Sequence, residues 1–281
     1  CPLASLLQLW NTPAAYLFQT SILYESLLSS ENQLGWSGDN PDSKSGYCAL
    51  VVDETQDLGT QALKLLRAMI PEGANDLFFV GDGYQRIYGR NRAVMGKCGI
   101  NIRGRSRKLY LNYRTTDEIR KYAVNLLEGR AIDDLDGELD ENKRYKSLSH
   151  GPEPIIENVH NLEQTGETIQ KILNLWNQEG TENSALGTCI MAHSRVNRDA
   201  LQQKLSNEHQ CLVLEAGTRD TSKPDVLRFS TMHRAKGLEF EQVVVVVSAS
   251  FLDADNDSNH LNLLHVAMTR ARRHAALLVV E

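Results

Sequence analysis

Apolar positions along this chain follow two alternating rhythms. Short continuous runs rich in β-branched residues fall at 49–52, 77–80, 109–111, 155–159, 188–191, 211–214, 227–230, 243–247 and 276–280. Runs of that length and composition predict strands buried on both faces. Between them, apolar residues recur at helical spacing over 61–69, 117–127, 163–177, 197–208 and 262–271, and a further helix is predicted over 14–30, where Tyr16, Leu17, Ile22, Leu23, Leu27 and Leu28 share a face. Thr115 with Glu118 has the form of a capping box and Gly129 that of a helix stop. Residues 31–46, rich in Ser, Asn, Gly, Asp and Pro, have loop composition. Strands that alternate with helices predict an α/β protein with parallel sheets flanked by helices.

Length and charge sharpen this picture. With 281 residues, 41% of them hydrophobic, the chain can form two medium domains with real cores. A net charge of −6 excludes a protein that is basic throughout, but the charge is unevenly spread. Arg86, Arg90, Arg92, Lys97, Arg103, Arg105, Arg107, Lys108 and Arg114 follow one another with no Asp or Glu between them. An acidic segment at 133–141 reads as a solvated connection. The five cysteines are scattered, with no CxxC pair, which argues against a disulfide scaffold or zinc ribbon and for a reducing cytoplasm. No apolar run approaches the roughly 20 residues of a membrane-spanning helix, so no membrane partner is expected. The opening Cys1-Pro2 leads us to expect a piece of a longer polypeptide.

Candidate chemistry collects at the carboxyl ends of the predicted strands, where open α/β sheets place ligands. The run Ala-Leu-Val-Val ends in Asp53-Glu54-Thr55-Gln56-Asp57. One carboxylate there can hold Mg²⁺ while its neighbour polarises an attacking water; the alternative is a solvated turn with Asp57 as an N-cap. The run 77–80 ends in Gly81-Asp82-Gly83-Tyr84-Gln85-Arg86. A glutamine in that place can hydrogen-bond a γ-phosphate or its water, or simply belong to a glycine turn. Asn112-Tyr113-Arg114, then Thr231-Met232-His233-Arg234-Ala235-Lys236-Gly237-Leu238-Glu239-Phe240, then Val266-Ala267-Met268-Thr269-Arg270 set cations and hydrogen-bonding groups beside further strands. Any single arginine among them, taken alone, reads better as surface charge.

In that order, VDETQD, GDGYQRIYG, LNYRTT, TMHRAKGLEF and VAMTRARRH closely resemble motifs II to VI of superfamily 1 helicases of the UvrD/Rep/PcrA type, a resemblance running from about residue 48 to 281. It implies a RecA-like P-loop NTPase fold: residues 1–106 as the distal part of a first motor domain, 107–281 as the second. It further implies Asp53 as the Mg²⁺ ligand, Glu54 as the base, and Gln85, Arg114 and Arg270 at the γ-phosphate of ATP, the arginines reaching it from the second domain. Tyr113 would stack on adenine and Glu239 bind the ribose, with Lys236 and Gly237 in the same nucleotide-binding motif. Tyr88, Thr231 and His233, with Arg90 and Arg92 after the third motif, would face single-stranded DNA. The acid-free run from Arg86 to Arg114 would contact its phosphates.

Two departures shape the expected activity. The GxxGxGK[ST] loop of motif I does not occur in the sequence, and only 52 residues precede Asp53. The expectation is therefore a truncated ATP-dependent 3′ to 5′ DNA translocase or helicase, missing the N-terminal part of its own polypeptide and hydrolysing little ATP alone. The span from Arg114 to Phe229 leaves little room for the accessory domain that the family often carries there. Rival readings are a degenerate, non-catalytic nucleic-acid or partner-binding module, a helicase acting on RNA, and the motor part of a helicase–nuclease.

Overall fold

The computed structural model describes residues 49–88, 93–130, 132, 144–178, 187–218, 220, 225–253 and 259–281. The helix predicted over 14–30, the loop over 31–46, the acidic segment at 133–141, and Arg90 and Arg92 lie outside them. Among the described residues, no helix is long and apolar enough to cross a membrane. The chain divides into two compact units, one holding the described residues up to Asp82 together with 93–106, the other holding 83–88 and the described residues from Arg107 onward.

In the first unit, β1 (Leu50–Val52) pairs in parallel with β2 (Leu77–Phe79), and α1 (Thr60–Ala68) forms the crossover. Ala62, Leu63 and Leu66 bury one side of α1. Leu63 and Leu66 pack with Val52, Met95, Cys98 and Ile100. Burial on both faces does not hold for β2, because Phe78 is exposed. The residue capping α1 is Gly59; Asp57 sits instead in a single 3₁₀ turn, Thr55–Asp57, so the alternative reading of it as an N-cap does not hold.

The second unit is built on a six-stranded sheet in the order β5-β10-β9-β6-β8-β7, every neighbouring pair parallel. Its strands are β5 (Ile155–Val159), β6 (Thr188–Ala192), β7 (Cys211–Val213), β8 (Leu227–Thr231), β9 (Phe240–Ser248) and β10 (Ala271–Val280). The run of valines in β9 shows why the fold forms. Val243, Val245 and Val247 enter one apolar layer with Ile119 and Ala123 of α2 (Asp117–Asn125) and Leu263 and Leu264 of α6 (Asn259–Met268). Val244 and Val246 enter the opposite layer with Ile169, Ile172 and Trp176 of α3 (Leu162–Gln178) and Leu201 and Leu205 of α4 (Arg195–Leu205). A strand with two apolar faces needs helices on both sides, and the alternation of side chains supplies both contacts. The edge strand β5 departs from this pattern, since Ile156 is exposed.

Three local readings change. The strand predicted over 109–111 becomes β3 (Leu111–Asn112), which pairs with the unforeseen β4 (Lys146–Ser147), while Leu109 stays exposed. A short helix, α5 (Ala249–Leu252), follows β9 directly. The capping box is corrected too: Thr116 is the N-cap of α2, with no side-chain cap bond. Glu118 instead accepts from the backbone N–H of Gly151 and contacts Nδ1 of His150, both at 2.8 Å. The stop at Gly129 has the left-handed backbone, φ 79°, that glycine tolerates best.

Candidate functional site

At the carboxyl end of β1 the backbone is pinned before it turns. Val80 N–H donates to the carbonyl of Val52, and Thr55 returns two bonds to the carbonyl of Val80, from its N–H at 3.0 Å and its hydroxyl at 2.8 Å. Glu54, between these anchors, adopts the left-handed region at φ 54° and ψ 38°. That backbone costs a residue with a Cβ about 1–2 kcal/mol, so its neighbours must hold it. Asp53 accepts the N–H of Glu54 at 2.8 Å and is itself exposed.

The Glu54 carboxylate is held by Gln56, whose side-chain N–H donates to Oε2 of Glu54. The other end of the same amide accepts the backbone N–H of Asp82 at 3.0 Å. Gln56 is 6% exposed. One buried amide thus ties the carboxylate after β1 to the chain after β2. Sequence reasoning passed over Gln56; its signal is its place two residues after the candidate base. Asp53 offers hard carboxylate oxygen facing solvent, the donor chemistry that Mg²⁺ takes when it keeps several waters. Among the described residues, no group of three or more His, Cys, Asp or Glu is placed to hold a metal ion.

The second unit gathers five of the predicted residues into two linked pairs and a bridge. Arg270, 1% exposed, donates through its guanidinium to Oε1 of Gln85 at 3.2 Å and through Nε to the carbonyl of Val266 at 3.0 Å. Lys236 donates to the backbone carbonyl of Gln85 at 3.1 Å. Asn262, another residue the sequence left unremarked, donates to the carbonyl of Arg86 at 3.1 Å. The second pair is Arg114 with Glu239, at 2.7 Å and each a little over a third exposed. Asn112 positions Arg114 by accepting its backbone N–H at 2.8 Å, an Asx-type turn that Asn before a turn signals. Tyr113 is 70% exposed, its ring presented to solvent. Gly237 takes φ 80°, the turn that returns the chain to β9.

Of the residues expected at a nucleic-acid face, Tyr88 and His233 lie together here as well. The ring of Tyr88 lies 6.2 Å from that of His233, with the ammonium of Lys236 5.5 Å from the Tyr88 ring centroid. Thr231 ends β8, and its hydroxyl accepts the N–H of Arg234 at 3.3 Å. Burial, with a smaller contribution from the charge of His260, holds His233 below the usual histidine range. Phe251 stacks on His260 at 4.5 Å and lies 5.6 Å from the ring of His193, an aromatic group at the carboxyl edge that sequence reasoning missed.

Parallel sheets flanked by helices, with charged and amide side chains grouped at strand ends, are consistent with P-loop helicase domains. Comparison with known proteins finds two matching stretches. Residues 227–278 match the UvrD-like helicase C-terminal domain and residues 20–91 match an AAA domain. Each match covers well under half of the chain and says what those stretches are similar to. It is 28% identical over 248 residues to a protein of Mycoplasma pneumoniae named "Probable DNA helicase", a distant homologue, with 83% of this chain aligned. The chain spans 43% of that relative's length. A solved structure, the C-terminal domain of a possible DNA helicase from Lactobacillus plantarum, is 20% identical, with a TM-score of 0.43 over 60% of this chain and 88% of that one.

Proposed function

We propose that this chain is motor machinery of an ATP-dependent DNA helicase or translocase that moves 3′ to 5′ along single-stranded DNA, and that its 281 residues hydrolyse little ATP by themselves. The observation that carries the reading is the bond from the buried Arg270 guanidinium to the Gln85 amide. A buried arginine held by a side-chain amide and a backbone carbonyl is pre-organised, so it needs little rearrangement to neutralise charge developing on a transferring phosphoryl group.

The roles divide by unit. In the first, the Asp53 carboxylate would hold Mg²⁺, which when bound supplies neutralisation of phosphate charge. Glu54 there takes a proton from the attacking water, and Gln56 fixes the direction in which its carboxylate points. In the second, Gln85 senses the γ-phosphate, while Arg114 and Arg270 stabilise its charge. Glu239, paired with Arg114, binds ribose and restrains that arginine, and Tyr113 offers its exposed ring to the base. Tyr88, Thr231 and His233 contact single-stranded DNA, with Arg90 and Arg92 assigned to the same face from sequence. Cytoplasmic location and a role in DNA repair belong to the same proposal. The low turnover follows from the missing GxxGxGK[ST] sequence, which leaves no lysine for the β- and γ-phosphates.

The test is steady-state ATP hydrolysis by the chain alone and by the complete gene product containing it, each with no nucleic acid, single-stranded DNA or single-stranded RNA, and with Glu54→Gln as control. DNA-stimulated turnover of the complete product, abolished in the variant, is the expected result. Robust turnover by the chain alone overturns the second half of the proposal, and stimulation by RNA alone overturns the substrate. The missing loop also favours a second reading, a non-catalytic binding module, which a complete product without hydrolysis under any condition would select.

A further inference from the structure

The segment from Ala93 to Arg105 of the first unit is neither helix nor strand for most of its length, yet its side chains sort by face. Met95, Cys98 and Ile100 are buried in the core of the unit, with Ala93 and Ile102 packed against it. Lys97, Asn101, Arg103 and Arg105 are exposed. Apolar contacts thus strap the segment down while its cations face water. Gly104, at φ 70°, turns the chain between Arg103 and Arg105, and a bond from Arg105 N–H to the carbonyl of Ile102 at 2.9 Å closes that turn. Lys64 of α1, also exposed, lies near enough for its charge to act on the Cys98 thiol.

Carboxylates among the described residues do not neutralise this surface. Among the described residues, Lys97, Arg103 and Arg105 form no ion pair; Arg105 binds the neutral side-chain oxygen of Asn75 at 2.8 Å. Asp76, next to Asn75 in the chain, is engaged by Arg67 at 2.6 Å, and the guanidinium beside it holds its carboxyl below the usual range against the opposing effect of burial. In a chain of net charge −6, a run that retains cations and excludes every acid from 86 to 114 keeps a local self-repulsion that a polyanion relieves.

We propose that Lys97, Arg103 and Arg105 form a phosphate-contacting strap for the backbone of single-stranded DNA, separate from the residues that stack on or hydrogen-bond the strand in the second unit. The inference rests on the single-stranded DNA reading above and narrows the sequence expectation. Arg114, at the far end of the basic run, is paired with Glu239, whereas among the described residues these three cations meet no carboxylate, Arg105 binding only the neutral Asn75.

Counterion release makes the idea measurable. Each phosphate neutralised on a single strand contributes about −0.7 to the slope of log Kobs against log salt. The experiment titrates the chain against a fluorescein-labelled oligothymidine from 50 to 200 mM NaCl, comparing wild type, Lys97→Gln/Arg103→Gln/Arg105→Gln, and the charge-keeping Arg103→Lys/Arg105→Lys. The triple variant is expected to lose about 2 from the slope, so that its deficit against wild type shrinks by roughly 20-fold across that salt range. The lysine variant should keep the wild-type slope. Thermal melting of all three confirms folding, which exposed polar replacements should not disturb. Unchanged slope in a folded triple variant overturns the strap while leaving the DNA reading intact; wild type that binds no oligothymidine at 50 mM salt overturns both.

Discussion

Gln56→Ala removes a side chain that links the candidate base to the chain after β2. The substitution removes the acceptor of the Asp82 N–H and the donor to the Glu54 carboxylate, two part-buried bonds made by the buried Gln56 amide. A neutral hydrogen bond contributes about 1 kcal/mol net, one to a charged group roughly twice that, and a buried donor left unmade costs about 1–3 kcal/mol. Taking about 2 kcal/mol as the share felt at Asp82, local opening should become some 30-fold more frequent. Amide hydrogen exchange followed by NMR reads this directly at Asp82, with Thr55 N–H, bonded instead to the Val80 carbonyl, as the internal reference.

Gln56→Glu provides the sign check. Its oxygen can still accept the Asp82 N–H, but a carboxylate now faces the Glu54 carboxylate that the amide had donated to. Protection of Asp82 should therefore be weak near neutral pH and return as pH falls through the carboxylate range, around pH 4. If Asp82 exchanges at the wild-type rate in Gln56→Ala, the amide does not hold this loop and the positioning argument for Glu54 fails with it.

Other consequences follow from packing and charge. Phe229, fully buried in the layer under α3 and α4, should cost about 3–5 kcal/mol when cut to Ala, read as a lowered urea midpoint of the second unit. Gly151→Ala would set a Cβ 2.7 Å from Cγ2 of Thr116 and 3.3 Å from the carbonyl of Arg273, so about 1–3 kcal/mol of overpacking is expected in the same assay. The Asp117 carboxyl is held well below its ordinary value: burial opposes this but is outweighed by Lys121, Arg120 and the N–H of Ser147. Because the folded pKa is the lower one, its stabilisation is complete above the unfolded value near 3.9 and is lost as pH falls below it. Asp117→Asn should therefore lower the urea midpoint at pH 7 and flatten its fall below pH 4; an equally steep fall would show that other carboxylates dominate.

What the sequence revealed and what it hid follow one physical division. The five consecutive valines from Val243 announce a strand with two apolar faces, because that reading needs only local pattern, and the sheet places β9 between β10 and β6. Edge positions are not local properties. Nothing within 155–159 says that β5 lacks a neighbour on one side, so Ile156 looked as buried as Val244. Capping misled for a related reason. Thr115 and Glu118 have the spacing of a box, but Glu118 finds Gly151 and His150, some thirty residues onward, and the long-range partners win.

The same division runs through the candidate sites. Asp53, Glu54, Gln85, Arg114 and Arg270 stood out in the sequence only as members of an ordered set of motifs, since each taken alone reads as readily as a turn or surface residue. Their supports did not stand out. Gln85 meets Arg270 across 185 positions of chain and Arg114 meets Glu239 across 125, and only folding decides such pairings. These supports change the chemistry. A solvated arginine pays conformational entropy to meet a phosphate, whereas Arg270, fixed by the Val266 carbonyl and the Gln85 amide, has paid most of that on folding. Glu54 gains likewise from Gln56, at the cost of a left-handed backbone that the Thr55 anchors must hold. Under the proposed function the motif residues would supply the chemistry, and the unremarked amides and carbonyls around them decide how firmly those groups are held.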